Sequence, residues 1–256
     1  MTDYVVAGGH RLEVARIGAA TDRAPIVLLH EGLGSVSMWR DFPSQLAQAC
    51  GREVVVYSRL GYGRSEPLHH RHAVDYMGRE ANVVLPELCA ARGLRNPVLV
   101  GHSDGASIAL IRAGSPPDAR CQPAAIAVMA PHVFVEPVSL ASIAAAREAF
   151  ASTDLKAKLG RYHDDPEGAF RGWNDIWLDP AFAAWNIEAR LPTIACPVLA
   201  IQGEQDEYGT MAQLDAIAAR APRCEQLRLD DCRHSPHRDQ PQAVLSRLAA
   251  FLSEVP

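Results

Sequence analysis

The chain has 256 residues, a length that α/β folds often use for a single domain. Hydrophobic residues make up 48% of it and charged residues 21%, which is ordinary for a globular protein and excludes wholesale disorder. The 30 acidic residues outnumber the 25 lysines and arginines, and the net charge of −5 argues against a nucleic-acid partner held by phosphate contacts.

No segment of the sequence indicates a membrane partner or export. The longest apolar run, from Ala124 to Ala130, is far shorter than the roughly 20 residues that span a bilayer. The first residues, Met1 to Tyr4, lack the basic region and apolar stretch of a signal peptide. Six scattered cysteines without a Cys-x-x-Cys pair favour buried, reduced thiols over disulfides or zinc. We therefore expect a cytoplasmic protein.

Short β-rich runs alternate with helical patterns, which predicts a sheet covered by helices on both faces. Tyr4 to Val6 and Arg11 to Ile17 flank a Gly-Gly pair and predict an opening antiparallel hairpin. Six further strands, mostly apolar runs typical of strands buried on both faces, are predicted at Ile26 to His30, Val54 to Tyr57, Val98 to Gly101, Ala125 to Ala130, Val198 to Gly203 and Gln226 to Asp230. Helical periodicity is found at Met38 to Ala49, Asp75 to Ala91, Asp104 to Arg112, Met211 to Arg220 and Pro241 to Leu252. The prediction is an α/β fold with a mostly parallel, eight-stranded sheet.

The interval 132–191 interrupts this alternation. It is too long for a crossover helix, shows no clear strand, and carries much of the aromatic content of the chain: Phe134, Phe150, Phe170, Trp173, Trp177, Phe182 and Trp185. We expect it to form a helical lid over a core made of residues 1–131 and 192–256. Trp173, Trp177 and Trp185 are expected either to contact substrate or to pack the lid on the core, and Leu33 suggests an apolar wall.

The sequence Gly101-His102-Ser103-Asp104-Gly105 fits the pattern Gly-x-Ser-x-Gly at a point where a strand ends and a helix starts. A nucleophile on such a tight turn is pushed out of the sheet, and small neighbours permit the strained backbone. The hydroxyl then lies near the positive end of the following helix. We therefore predict that Ser103 is a catalytic nucleophile.

A serine hydroxyl needs a base to take its proton and an acid to orient that base. Asp206 and His234 each follow a predicted strand, so the order Ser, Asp, His places all three at one edge of the sheet. Glu136, Glu204 and Glu207 remain rival acids. The rival base His237 lies next to Pro236 and is better explained as a structural residue.

An acyl-transfer site also needs backbone donors for the developing oxyanion. The glycine-rich turn from His30 to Ser35 follows a predicted strand, so the amides of Gly32 and Asp104 are the expected pair. Neither a complete Gly-x-Gly-x-x-Gly nor a Gly-Lys-Ser/Thr sequence occurs, which disfavours a nucleotide site. Adjacent histidines such as those at 69, 70 and 72 rarely converge on one ion, so we expect no metal and no cofactor.

Five stretches carry a family resemblance over essentially the whole chain: Leu28 to Ser35, Ser58 to Ser65, Gly101 to Gly105, Gly203 to Asp206 and Cys232 to His237. On these, the chain resembles the α/β-hydrolase superfamily, and in particular small bacterial lid-bearing esterases and carbon–carbon bond hydrolases. The resemblance implies Ser103 as nucleophile, Asp206 as acid and His234 as base. It also implies the amides of Gly32 and Asp104 as oxyanion donors.

Two positions depart from the family pattern, because Glu31 and Arg233 stand where glycine is usual. A carboxylate aimed at the oxyanion would oppose it, so we expect Glu31 to point away, toward Arg59 or Arg64. The expected function is a serine hydrolase that cleaves a small apolar or aromatic carboxylic ester through an acyl-enzyme. Carbon–carbon bond hydrolysis, lactone hydrolysis and thioester hydrolysis are alternatives, and a non-catalytic ligand receptor is a further one. We expect a small-molecule substrate and a monomer or homodimer.

Overall fold

In the computed structural model, which describes residues 3–255, eight strands form one sheet in the order β1-β2-β4-β3-β5-β6-β7-β8. They are β1 (Asp3–Ala7), β2 (His10–Ile17), β3 (Ile26–Leu29), β4 (Val54–Tyr57), β5 (Val98–His102), β6 (Ala125–Met129), β7 (Val198–Gly203) and β8 (Cys224–Leu229). β1 and β2 form the predicted antiparallel hairpin, β2 is antiparallel to β4, and all other neighbours are parallel. This confirms the predicted α/β fold. The expected core begins at residue 1 and ends at residue 256; residues 1, 2 and 256 lie outside the described part.

The five central strands are buried along their whole length. Every residue of β3, β4, β5, β6 and β7 is buried, which agrees with their continuous runs of valine, isoleucine, leucine and alanine. β1 and β8 lie at the two edges and are partly exposed. The carboxyl ends of the parallel strands meet along one side of the sheet, where ligand sites of such folds form.

Nine helices are found within residues 3–255. Outside the interval 132–191 they lie at the predicted positions, with two differences: the first begins at Phe42 rather than Met38, after a 3₁₀ turn at Ser37–Trp39, and Pro236–Asp239 was not predicted. They are α1 (Phe42–Cys50), α2 (Tyr76–Arg79, Glu80–Val84 and Leu85–Arg92), α3 (Asp104–Ala113), α4 (Pro137–Ser152), α5 (Leu155–Leu159), α6 (Pro166–Trp177), α7 (Ala212–Arg220), α8 (Pro236–Asp239) and α9 (Pro241–Ser253). The middle part of α2, Glu80–Val84, is a π-helical turn just before Pro86, which has no amide proton to donate to the preceding turn.

The interval between β6 and β7 contains α4, α5 and α6, followed by 3₁₀ turns at Pro180–Phe182 and Glu188–Thr193. It has no strand within the described residues; a single bridge joins Phe134 to Asn186. Its apolar side chains belong to the same buried cluster as those of the sheet, so the insertion packs directly on the core. None of the helices between residues 3 and 255 is both long and apolar enough to cross a membrane.

Gly105, in the first turn of α3, offers a test of how closely this helix crosses the sheet. A Cβ atom added there would lie 2.0 Å from the carbonyl oxygen of Leu29. Because neither backbone can yield easily, we expect Gly105→Ala to lower the free energy of unfolding by about 3 kcal/mol or more. Gly160→Ala is the matched control, since its Cβ would meet nothing closer than 3.4 Å. Urea unfolding of both variants checks this, and equal midpoints would contradict it.

Candidate active site

Ser103 occupies a strained turn between β5 and α3. Its backbone has φ 53° and ψ −118°, in the left-handed half of conformational space that a residue with a Cβ rarely adopts. Its amide donates to the carbonyl of Met129 at 2.9 Å, which ties the turn to β6. Gly101 and Gly105 face each other so closely that a Cβ on Gly101 would lie 2.3 Å from the Gly105 oxygen. The two glycines therefore allow the turn that presents the Ser103 hydroxyl.

The structure brings the three predicted polar side chains into one hydrogen-bonded chain. His234 Nε2 lies 3.0 Å from Ser103 Oγ, and His234 Nδ1 lies 2.8 Å from Asp206 Oδ1. The Asp206 side chain is 1% exposed. Burial acts to raise the pKa of Asp206, but the hydrogen bond and charge of His234, together with the Tyr208 amide, bring it below its usual value. Asp206 is therefore held as a carboxylate beside the imidazole.

The loop that carries Asp206 is fixed by its own hydrogen bonds. Asp206 Oδ1 also accepts from the amides of Tyr208, at 2.8 Å, and Gly209, at 3.3 Å. The rival acid Glu136 accepts from Thr210 Oγ1 at 2.6 Å, from the Thr210 amide at 2.9 Å and from Gln213 Nε2 at 2.6 Å. Glu136 therefore holds the far end of this loop, whereas Asp206 contacts the imidazole.

The two predicted oxyanion donors lie near Ser103, because Asp104 follows it in the chain and Gly32 lines the same cavity as Ser103. Among the backbone hydrogen bonds of residues 3–255, none is donated by the amide of Gly32 or of Asp104. Gly32 lies under the Trp173 ring, and a Cβ there would come within 2.1 Å of Trp173 Cδ1. The absence of a side chain at Gly32 thus lets Trp173 from the inserted helix α6 close over the turn.

The Asp104 carboxylate is fully buried and holds three elements together. Its Oδ2 accepts from Tyr76 Oη at 2.6 Å, and its Oδ1 accepts from Trp177 Nε1 at 3.2 Å. The guanidinium of Arg59 lies 3.6 Å away. Burial raises the pKa of Asp104 overall, against the lowering effects of Arg59, Tyr76 and Trp177. These contacts fix the residue whose amide is the expected oxyanion donor.

Glu31 does not face the arginines that the sequence suggested. Its carboxylate lies 3.5 Å from His102 Nδ1 and 3.7 Å from an Arg238 nitrogen, while Arg59 contacts only its backbone oxygen. The expectation that it points toward Arg59 or Arg64 was therefore wrong. Arg238 comes from α8, far away in sequence, so no local pattern predicted the pairing.

A cavity of about 110 Å³ opens over Ser103. Of the predicted substrate contacts, Leu33, Trp173 and Trp177 line it. Trp185 instead stacks on Phe182 at 5.4 Å, on the far side of the Trp177 ring, 6.3 Å away. The geometry therefore does not support direct substrate contact by Trp185.

Six lining residues were not predicted as site residues, namely Glu31, His102, His132, Ile143, Tyr208 and Ser235. His132 follows the end of β6, and that position was the signal available in the sequence. Burial lowers the pKa of His132 to about 3, so its ring is neutral. The Tyr208 ring lies 4.6 Å from that of His234. The ring of His234 thus has the neutral rings of His132, at 5.9 Å, and Tyr208 beside it.

His72 and His237, two histidines outside the hydrogen-bonded chain, pack against aromatic side chains. His72 stacks on Tyr76 at 4.8 Å, and within residues 3–255 no group of three or more His, Cys, Asp or Glu side chains is arranged to hold a metal ion. His237 is 4% exposed and packs against Trp39 at 4.9 Å and Phe42 at 5.2 Å. Neither of its ring nitrogens has a hydrogen-bond partner in the described part of the chain.

The burial of His237 predicts a loss of stability in acid. Burial lowers its pKa well below the ordinary 6.5, so the folded protein keeps the ring neutral while the unfolded chain binds a proton. The protein is therefore destabilised as the pH falls below the pKa that this histidine has in the unfolded chain. Between about pH 7 and pH 5, we expect the free energy of unfolding of His237→Phe to fall by about 2 kcal/mol less than that of the parent. Urea unfolding at both pH values measures this, with exposed His70→Gln as control, and parallel losses in all three proteins would contradict it.

Comparisons with known proteins identify the family and the fold of the chain. Residues 26–247 match the family model described as "Alpha/beta hydrolase family". Proline iminopeptidases from Lactobacillus delbrueckii subsp. lactis and Lactobacillus helveticus are each 33% identical, over 108 and 95 residues. These matches cover 42% and 37% of this chain, but only 37% and 32% of the relatives, so the chain spans about a third of their length.

Solved structures show the same fold over nearly the whole chain. An alpha/beta hydrolase fold protein from Chitinophaga pinensis has a TM-score of 0.80 at 19% identity, covering 99% of this chain and 97% of that one. The enol-lactonase from Burkholderia xenovorans LB400 has a TM-score of 0.75 at 20% identity, with coverages of 98% and 100%. A thermophilic esterase from Thermogutta terrifontis has a TM-score of 0.75 at 17% identity, with coverages of 99% and 98%.

Proposed function

The chain belongs to the alpha/beta hydrolase family, as its resemblance predicted, and on that premise we propose that it cleaves a small apolar or aromatic carboxylic ester. The observation that carries the proposal is the hydrogen-bonded chain from Ser103 through His234 to Asp206, at the floor of an aromatic-walled cavity. A nucleophile, a base and an orienting acid in this geometry are the requirements for covalent acyl transfer.

The direction of proton transfer follows from the hydrogen bonds. The ionised Asp206 can only accept, so His234 Nδ1 carries the proton and Nε2 presents its lone pair to Ser103 Oγ. Ser103 attacks the ester carbonyl as His234 takes its proton. His234 then returns that proton to the departing alkoxide, and an acyl-enzyme remains. Water activated by His234 cleaves the acyl-enzyme and releases the acid.

Charge that develops on the carbonyl oxygen needs fixed donors. The amides of Gly32 and Asp104 fill this role in our proposal. The Asp104 amide is held in place because the side chain of the same residue is anchored by Tyr76 and Trp177. Such preorganised donors need no rearrangement during the reaction, which is the source of their catalytic effect.

The size and lining of the cavity limit the acyl group. A volume of about 110 Å³ accommodates a compact group, and Leu33, Ile143 and Trp173 give it apolar walls. Burying apolar surface there contributes about 25 cal/mol per Å² to binding. We therefore infer a preference for short aliphatic or single-ring acyl groups.

A second candidate is hydrolysis of an amide after an N-terminal proline. The likeness to proline iminopeptidases over 108 residues favours it, and a proline ring is compact enough for the cavity. A free amino group would need an available carboxylate, whereas Glu31, the carboxylate in the cavity wall, already faces Arg238 and His102. The pairing of Glu31 therefore favours the neutral ester.

The first test compares four activated substrates, p-nitrophenyl acetate, butyrate and benzoate, and proline p-nitroanilide. We expect ester hydrolysis in the parent, a fall in kcat of about 10⁴-fold or more in Ser103→Ala, and an unchanged melting temperature. A fluorophosphonate should label Ser103 in the parent alone. Turnover of the anilide in preference to all esters would replace the ester proposal, and absence of both labelling and turnover would favour a ligand receptor.

The choice of acid is tested by two neutral, equally sized substitutions. Asp206→Asn cannot accept from His234 Nδ1 as a charged group, so we expect kcat to fall about 10³–10⁴-fold. Glu136→Gln loosens the loop but does not contact the imidazole, so we expect kcat to fall less than about 30-fold. Steady-state kinetics on the best ester measures both. A larger loss in Glu136→Gln would show that the acid is misassigned.

We also propose that residues 132–191 act as a lid that selects the acyl group, since Trp173 and Trp177 in its helix α6 line the cavity. Trp173→Ala removes an apolar wall, and we expect KM for the preferred small ester to rise about 10-fold or more. Trp185→Ala, which alters the same segment outside the cavity, should change KM less than about twofold. If both variants lose affinity equally and in step with their melting temperatures, the aromatic residues only hold the segment in place.

A further inference from the structure

The turn after β3 is built around the carboxylate of Glu31. The Glu31 backbone oxygen accepts from His30 Nδ1 at 2.7 Å and from Arg59 Nη2 at 3.1 Å. Gly34 leaves space for the side chain, because a Cβ there would lie 2.5 Å from Glu31 Oε2. The turn therefore has both the space and the hydrogen bonds that hold a carboxylate at this position.

His102, beside Ser103, bridges this carboxylate to the base. Its Nε2 lies 2.7 Å from the carbonyl oxygen of His234, which can only accept, so Nε2 carries a proton. Its Nδ1 lies 3.5 Å from Glu31 Oε2. In a neutral ring Nδ1 would present a lone pair to the carboxylate, in a place where the His102 side chain is 1% exposed. A proton on Nδ1 turns this repulsion into attraction.

Around Glu31 and His102, the neighbouring histidines His30 and His237 carry no positive charge that could offset the Glu31 carboxylate. His102 and Arg238 are the groups that can balance that negative charge. Burial lowers the pKa of His237, 4.8 Å from the His102 ring, and likewise that of His30, so both are neutral. Burial alone would raise the pKa of Glu31, but His102 and Arg238 bring it well below its usual value. The His234 ring lies 5.2 Å from that of His102 and faces Asp206 with its opposite side.

We propose that Glu31 is a positioning residue that keeps His102 cationic, so that His102 holds the main chain of His234 through a charge-assisted hydrogen bond. Such bonds are roughly twice as strong as neutral ones. The His234 amide is held from the other side by Glu207 Oε2, at 3.3 Å. This role deepens the proposed function, because the aim of the His234 ring at Ser103 depends on that backbone. Pairing with two cations also keeps the Glu31 charge from opposing the oxyanion.

The test uses three whole proteins labelled with ¹⁵N-histidine: the parent, Glu31→Gln and Glu207→Gln. Glu31→Gln keeps the shape but can donate an amide N–H to Nδ1, which favours a neutral His102. We expect NMR at neutral pH to show protons on both His102 nitrogens in the parent and in Glu207→Gln. In Glu31→Gln only Nε2 should be protonated. A neutral His102 in the parent, or a cationic one in Glu31→Gln, overturns the proposal.

Two further readouts separate positioning from general stability. Amide hydrogen exchange in residues 232–235 should be faster in Glu31→Gln than in the parent, with an unchanged melting temperature. The kcat on the best ester should fall about 10-fold with KM within about twofold. Unchanged exchange and kcat would overturn the positioning role. If the parent hydrolyses none of the substrates, the ester proposal fails, while NMR and hydrogen exchange still decide the role of Glu31.

Discussion

The close crossing of α3 over the sheet is the constraint on which the rest of the site depends. Gly105 packs against the Leu29 carbonyl and Gly101 against Gly105, at distances that exclude any side chain. The same kind of contact recurs on the other side of the site, where a Cβ on Gly203 would lie 2.0 Å from the Cys232 carbonyl. These glycines let β3, β5 and β7 end within reach of one another. The hydrogen bonds among Ser103, His234 and Asp206 depend on that closeness.

The inserted segment shares buried contacts with the turn that carries Ser103. Trp177 from α6 donates to the Asp104 carboxylate, and Trp173 covers Gly32, so both residues proposed as oxyanion donors contact the insertion. An element that shapes the cavity thus also supports the backbone around it. Under the proposed function, substitutions that remove either contact are expected to change both the binding of the acyl group and the geometry of the proposed donors.

Much of the fold followed from local signals in the sequence. Apolar runs predicted the strands to within two residues, and strand ends predicted the positions of Ser103, Asp206 and His234. Features that depend on residues distant in sequence were not predictable. The partner of Glu31 comes from α8, the role of Glu136 depends on Thr210, and Trp185 lies behind Trp177 because of how the insertion folds back. Periodicity indicates which face of a helix is buried, but it does not identify what lies on that face.

The position of the aromatic side chains has a spectroscopic consequence. Trp173 and Trp177 are in the cavity wall, whereas Trp39 packs beside His237 and Trp185 beside Phe182. A molecule that enters the cavity changes the immediate surroundings of two of the four indoles, so we expect the intrinsic fluorescence of the protein to report on occupancy. In the Ser103→Ala protein, in which our proposal expects almost no turnover, the emission of these two rings would allow the binding of unlabelled compounds to be titrated directly.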